Sequence, residues 1–318
     1  MRRASGLAIM AIGSLLALAA GAAAADPKVV VTIKPLHALV GEVMSGVGSP
    51  ELLVKGAAST HTYALRPSEA LLLNHADLFF RMSETVEPFT VKIVTSLPKR
   101  VEVVTLQEAP GMALLTQRTG ATFERRLDGK ANDHSHYHRT HQKGDVVDGH
   151  AWLDPDNAKA MVARIEQALA AMYPANAAAF KANAAALRAK LDALAAELDG
   201  ELVPIAAKPY VVFHDAFQYF ERRYGLNVVG SISINPEVPP SAKRLTELRR
   251  KIQSLGAVCV FAEPQFDTRL VDSLIEGTAA RTGTLDPEGG SLDPGPDLYF
   301  TLMRKLAAAL KTCLAPPA

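Results

Sequence analysis

Three histidines, His61, His150 and His214, stand where α/β proteins build their sites, in turns beyond strand-like runs or just ahead of helices. His61 lies after the run Glu51–Val54 and before a helix opened by Pro67. His214 directly follows Tyr210-Val211-Val212-Phe213, with Asp215 expected to head the next helix. His150 precedes Trp152-Leu153, where Asp154 and Pro155 supply an N-cap and a first-turn proline. A lone histidine in such a place is an ordinary packing residue. Three of them suit a borderline divalent cation, zinc first and then copper or nickel by order of affinity.

A tetrahedral site takes a fourth ligand. The first candidate is Asp286, which ends the run Gly283-Thr284-Leu285; Glu263 is the runner-up, and water would also serve. Glu263, at the end of Ala257–Ala262, is better placed to orient one of the histidines. Asp286 also reads as a turn residue before Pro287. His37 and His75 have no partner in sequence and read as structural.

Between Asp128 and Gly149 a second set, His134, His136, His138 and His141, is spread among Asp, Lys, Arg and Gly with hardly any apolar anchor. This is the composition of a His-rich loop that captures metal, or of an incidental polar loop. Two cysteines among 318 residues exclude an all-cysteine zinc site or iron–sulfur cluster within one chain, and neither C-x-x-C nor H-E-x-x-H occurs.

The elements that must position these residues alternate along the chain. Strand-like runs at Lys28–Ile33, Glu51–Val54, Asp77–Met82 and Val101–Thr105 are interleaved with helical stretches after Pro35, at Pro67 and around Glu84. A second series at Tyr210–Phe213, Asn227–Ile232, Ala257–Ala262 and Gly283–Leu285 alternates with helices at Asp215–Tyr224, Pro240–Leu255, Asp267–Arg281 and Pro296–Cys313. Four short apolar strands per half predict an α/β protein of two (β/α)4-like lobes with parallel sheets. From Ala175 to Asp199 there is neither Gly nor Pro, and Phe180, Leu187, Leu191, Leu194, Leu198 and Leu202 recur at helical spacing. That stretch predicts one rigid helix of about 40 Å bridging the lobes, ended by Gly200 and Pro204. The division is 26–173 for the N-terminal lobe, 174–202 for the linking helix and 203–318 for the C-terminal lobe.

Residues 1–25 read as a signal peptide: Arg2 and Arg3, an apolar stretch from Leu7 to Ala20, then Ala23-Ala24-Ala25 before Asp26. Asp26, not a cysteine, stands directly after the cleavage site, so a lipid anchor is not expected. Losing two arginines and no acid takes the net charge from +1 to −1. A chain so neutral carries no electrostatic footprint for nucleic acid or anionic membrane. In an oxidising extracytoplasmic space the pair Cys259 and Cys313 reads as a disulfide tying the last helix to the second sheet.

His61-Thr62-Tyr63-Ala64-Leu65-Arg66-Pro67-Ser68 resembles the first ligand loop of the periplasmic zinc-binding proteins of ABC importers, the ZnuA type within the cluster 9 solute-binding proteins. Gly149-His150-Ala151-Trp152-Leu153-Asp154-Pro155, Phe213-His214-Asp215-Ala216-Phe217-Gln218-Tyr219-Phe220, Asn235-Pro236-Glu237 and Phe261-Ala262-Glu263-Pro264-Gln265 match later segments of that family in order. The resemblance spans the mature chain, His-rich loop and C-terminal cysteines included. It implies two lobes joined by a long helix, a metal in the interlobe cleft, and His61, His150 and His214 as zinc ligands. Related manganese binders usually place a carboxylate where His214 stands. Some zinc members carry Glu before the first histidine, where this chain has Thr60, which moves the fourth position to Asp286 or water.

The expectation is a periplasmic protein that captures Zn2+ and delivers it to an inner-membrane ABC permease. It would be a monomer and not an enzyme, with a zinc-donating chaperone as a further partner. Two rivals share the ligand set. A secreted zinc hydrolase would use an open coordination position and Glu263 as base, and a manganese-binding or adhesin-like relative would bind a host ligand.

Overall fold

A computed structural model of the chain describes residues 26–118, 123, 146–233 and 240–315. The N-terminal lobe is built on β1 (Val29–Val31), β2 (Glu51–Leu52), β3 (Leu78–Arg81) and β4 (Glu102–Thr105), paired in the order β2-β1-β3-β4, every pair parallel. β1 and β3 are buried along their whole length, which is why they read as unbroken apolar runs rather than alternating ones. Helices α1 (Lys34–Val43), α2 (Pro67–His75) and α3 (Thr90–Ser96) follow β1, β2 and β3. The lobe continues, after the undescribed residues, into α4 (Pro155–Met172), whose N-cap Asp154 accepts the Asp156 amide at 2.9 Å.

The C-terminal lobe repeats the plan. Strands β5 (Tyr210–His214), β6 (Val228–Ser233), β7 (Cys259–Ala262) and β8 (Arg281–Thr284) pair in the order β6-β5-β7-β8, again all parallel. Helices α6 (Gln218–Arg223), α7 (Ala242–Leu255), α8 (Arg269–Ile275) and α9 (Leu298–Leu314) complete it. Both sheets therefore reverse strand order at one place, between β1 and β3 and between β5 and β7. The crevice beyond the carboxyl ends at such a reversal is where open α/β sheets hold ligands.

The lobes are joined by α5 (Ala177–Leu202), 26 residues and about 39 Å long. Its buried stripe of Phe180, Ala184, Leu187, Leu191, Leu194, Leu198 and Leu202 packs on α1 and α4 from one lobe and α9 from the other. One apolar core runs without a break from Val29 to Leu314 across this helix. Lys190–Glu42 at 2.8 Å and Arg304–Glu197 at 2.7 Å brace its exposed side to α1 and α9. Cys259 and Cys313 form a disulfide that ties the first residue of β7 to the end of α9.

Several element boundaries differ from the sequence expectation, each for a local reason. α5 runs through Gly200 to Leu202, because burying Leu198 and Leu202 outweighs the roughly 1 kcal/mol cost of a helical glycine. Pro204 then falls inside the 3-10 turn Val203–Ile205. No helix forms around Glu84. The chain turns there because the Glu87 carboxylate captures the backbone amides of Met82 and Ser83, and α3 starts only at Thr90. The helix expected over Asp267–Arg281 covers Arg269–Ile275 alone. Gly277, with φ of 74°, reverses the chain, and β8 begins two residues earlier than Gly283. Asp215 does not head α6, which starts at Gln218; its carboxylate is bound by Arg118 instead.

Candidate metal centre

His214 is the last residue of β5, and Glu263 is the first residue beyond the neighbouring β7. The strand reversal thus sets a carboxylate beside an imidazole. Both oxygens of Glu263 face His214 Nδ1, at 2.6 and 2.7 Å, and one also accepts the His214 amide at 3.0 Å. His150 is held in the same manner from its own segment. Asp148 Oδ1 accepts from Nδ1 at 2.8 Å and from the His150 amide at 3.0 Å. His61 lies in the 3-10 turn Thr60–Thr62 beyond β2, with its ring beside the backbone of Thr85.

These three turns bring the imidazoles together. The ligand nitrogens of His61, His150 and His214 all lie within 4.8 Å of one another, and this is the one such cluster among the described residues. Nε2 of His150 is 3.3 Å from Nε2 of His61 and 3.3 Å from Nε2 of His214. A tetrahedral ion with metal–nitrogen bonds of about 2.0–2.1 Å requires ligand separations of roughly 3.3–3.4 Å. The two carboxylates fix Nδ1 of His150 and His214 as donors, so in the neutral rings both Nε2 atoms present lone pairs. Lone pairs facing each other at 3.3 Å repel unless a cation or a proton sits among them, so the donor set fits a metal ion.

The electrostatics are uneven across the cluster. Burial, then the two neighbouring imidazoles, push the His61 pKa down to about 2. Burial also works against a charge on His214, but the Glu263 carboxylate more than offsets it and holds that imidazole above its ordinary value.

Asp286 is not gathered with the three imidazoles. Its Oδ1 accepts from the amides of Glu288 and Gly289 at 3.2 and 2.9 Å and from the Gln265 side chain at 2.9 Å, so the carboxylate organises the loop after β8. That loop is fastened to the N-terminal lobe. Glu288 accepts the Thr60 hydroxyl at 2.7 Å, Trp152 Nε1 donates to the Pro287 carbonyl at 2.9 Å, and buried Lys34 donates to the carbonyls of Gly290 and Leu292 at 2.7 Å each. His37 bonds the Pro50 carbonyl at 3.0 Å and His75 is exposed at the end of α2; neither joins the cluster. His134, His136, His138 and His141 lie outside the described residues.

Sequence reasoning missed Asp148 and Glu288. Asp148 had a signal, because an acid two residues before a candidate ligand can reach the same ring. Glu288 had none, since its partner Thr60 is 228 residues away.

Fold and centre together define a two-lobed metal-binding protein whose imidazole cluster lies where the carboxyl ends of both sheets meet. The chain belongs to the ZnuA family, described as the periplasmic component A of the zinc-uptake complex, which it matches over residues 29–313. It is 42% identical over 305 residues to the high-affinity zinc uptake system protein ZnuA of Brucella suis, with 90% of this chain and 91% of that protein covered. The Yersinia pestis protein of the same name is 32% identical over 298 residues, covering 91% and 92%. Among solved structures, the Zn(II)-bound ZnuA-like domain of Streptococcus pneumoniae AdcA superposes with a TM-score of 0.67 at 25% identity, covering 91% of this chain and 98% of that one. Members of the family are binding components of transporters rather than enzymes, which sets the hydrolase reading aside.

Proposed function

We propose that this protein captures Zn2+ as cargo with His61, His150 and His214 and hands it to the membrane permease of a zinc-uptake system. The observation that carries the reading is His150 Nε2 standing 3.3 Å from the Nε2 atoms of both His61 and His214, the ligand nitrogens of all three within 4.8 Å of one another, with two of the rings locked from behind by Asp148 and Glu263. Residues 1–25 serve as the signal peptide, and the chain works in the periplasm as a monomer, loaded from free ion or by a zinc-donating chaperone. Water completes the coordination, because Asp286 is engaged by its own loop. The histidine at position 214 favours zinc over manganese, since imidazole suits the borderline ion and an oxygen-rich set suits the harder one. The continuous core along α5 and the fastened loop after β8 support small lobe movements on loading and release. Residues 134–141 add weaker sites that collect ions.

Competition of the full chain against a zinc-selective chelator, in parallel with Mn2+, tests the reading. Tight 1:1 zinc binding in the cleft with much weaker manganese binding is expected. Equal affinity for both ions would remove the case for zinc as the cargo.

A further inference from the structure

Each of the three imidazoles has a group behind it, but only two of those groups are side chains. His61 has only the backbone of Thr85 beside it, and that backbone is placed by the turn it belongs to. That turn follows β3, and its geometry is set by one residue. The Glu87 side chain is fully buried, with one oxygen bound by the Thr32 hydroxyl and the other accepting the amides of Met82 at 2.7 Å and Ser83 at 3.1 Å. The Glu87 amide returns to the Ser83 carbonyl at 3.0 Å, and its carbonyl accepts the Thr90 amide and hydroxyl at 2.9 and 2.7 Å. Arg81 then donates to that hydroxyl at 2.9 Å. The turn from Met82 to Glu87 is thus closed on itself by side-chain and backbone bonds alike.

The same turn also bears on the second ligand. Gly149, immediately before His150, lies so close to it that an added Cβ would sit 2.4 Å from Val86, 2.5 Å from Ser83 and 2.6 Å from Thr85. One turn therefore packs directly against the chain at His150 and borders His61. The C-terminal lobe has a counterpart. Thr32 follows β1 as His214 ends β5, and Glu87 follows β3 as Glu263 follows β7, so a buried glutamate bridges the strand reversal in each lobe.

We infer that Glu87 is a positioning residue of the zinc centre, acting on His61 and His150 through the turn it closes. This rests on the zinc reading above. The experiment uses the full chain and two readouts, zinc affinity by chelator competition and the visible absorption of the Co2+-loaded protein, which reports ligand geometry. Glu87→Ala is expected to weaken zinc binding by about 10- to 100-fold and to alter the Co2+ bands. Glu87→Gln keeps an oxygen for the two amides and is expected to stay within about threefold of the parent, with the parent's bands. Thr32→Val, which removes the hydroxyl without changing shape, is expected to shift both readouts in the direction of Glu87→Ala by a few-fold, and it decides the matter if Glu87→Ala does not fold. Variants that lower Tm while leaving zinc affinity and the Co2+ spectrum unchanged would overturn the inference. His61→Ala, measured alongside, separates the two levels. If it binds zinc like the parent, the zinc reading fails and this inference with it.

Discussion

Glu263 grips His214 at three points, with both carboxylate oxygens against Nδ1 and one of them also on the backbone amide. The grip fixes the tautomer, the ring plane and the chain position of one ligand at once. Glu263→Ala should therefore lower zinc affinity by about 10- to 100-fold, and Glu263→Gln by less, because the amide oxygen can still accept one of the two N–H groups. Chelator competition at constant pH measures both, and an unchanged affinity in Glu263→Ala would show that the grip does not matter to the metal.

Protons compete for the same lone pairs. His214 is held above its ordinary value and gives up a proton on zinc binding near neutrality, whereas His61, depressed to about 2, has none to give. Zinc affinity should fall as pH drops through the raised value of His214. Titration calorimetry in buffers of different ionisation enthalpy should report proton release on binding at pH 6.5, the ordinary imidazole value above which His214 is held. No release at that pH would contradict the assignment.

The metal-free protein should show the opposite trend. Burial pushes the carboxyls of Glu87, Glu221 and Glu288 up to about 7 from an ordinary 4.5. Between those values the folded chain holds protons that the unfolded chain has released. The stability from these groups is complete below 4.5 and is lost as pH rises through about 7. His61 and His37 work against this below 6.5, where the unfolded chain takes up protons that the folded one resists, but between pH 8 and pH 6 they are outweighed by the three glutamates together with Asp154, which burial raises to about 6. Metal-free protein should melt at a higher temperature at about pH 6 than at about pH 8, and adding zinc should stabilise it more at the higher pH.

Gly149→Ala places a methyl group into the turn behind His61. It should cost about 1–3 kcal/mol of stability by overpacking and weaken zinc binding as well, since Ser83, Thr85 and Val86 must move. Urea denaturation and chelator competition on one preparation test both halves.

The disulfide predicts a contrasting pattern. Cys259 and Cys313 close a loop with a sequence separation of 54, a constraint of about 4 kcal/mol in the chain-entropy model. Cys259 begins β7 and Glu263 lies beyond its other end, so the bond is remote from the imidazoles. Cys259→Ser with Cys313→Ser should lower the urea midpoint while zinc affinity stays within about twofold of the parent.

Much of the fold and of the candidate metal centre is legible in the amino-acid sequence alone. Unbroken apolar runs mark the parallel strands, and the leucine stripe from Leu187 to Leu202 marks the long helix, because burial on both faces of a strand or on one face of a helix leaves a period in the sequence. The three histidines are visible because each stands at an element boundary. What escapes are features made by contacts between distant residues. Glu87 converts an expected helix into a turn, and Asp286 binds its own loop rather than joining the cluster. Neither the turn nor the loop has a period to read. Arg118 on Asp215 and Glu288 on Thr60 pair residues 97 and 228 positions apart, and neither sequence neighbourhood signals the other.

Anomalous diffraction at the zinc edge, from crystals of the full chain grown with one equivalent of Zn2+, tests the assignment of the cargo site most directly. A single strong peak about 2.0–2.1 Å from Nε2 of His61, His150 and His214 is expected, with no protein oxygen at bonding distance. A principal peak among His134, His136, His138 and His141, or one bound by fewer than three of the cleft imidazoles, would contradict it.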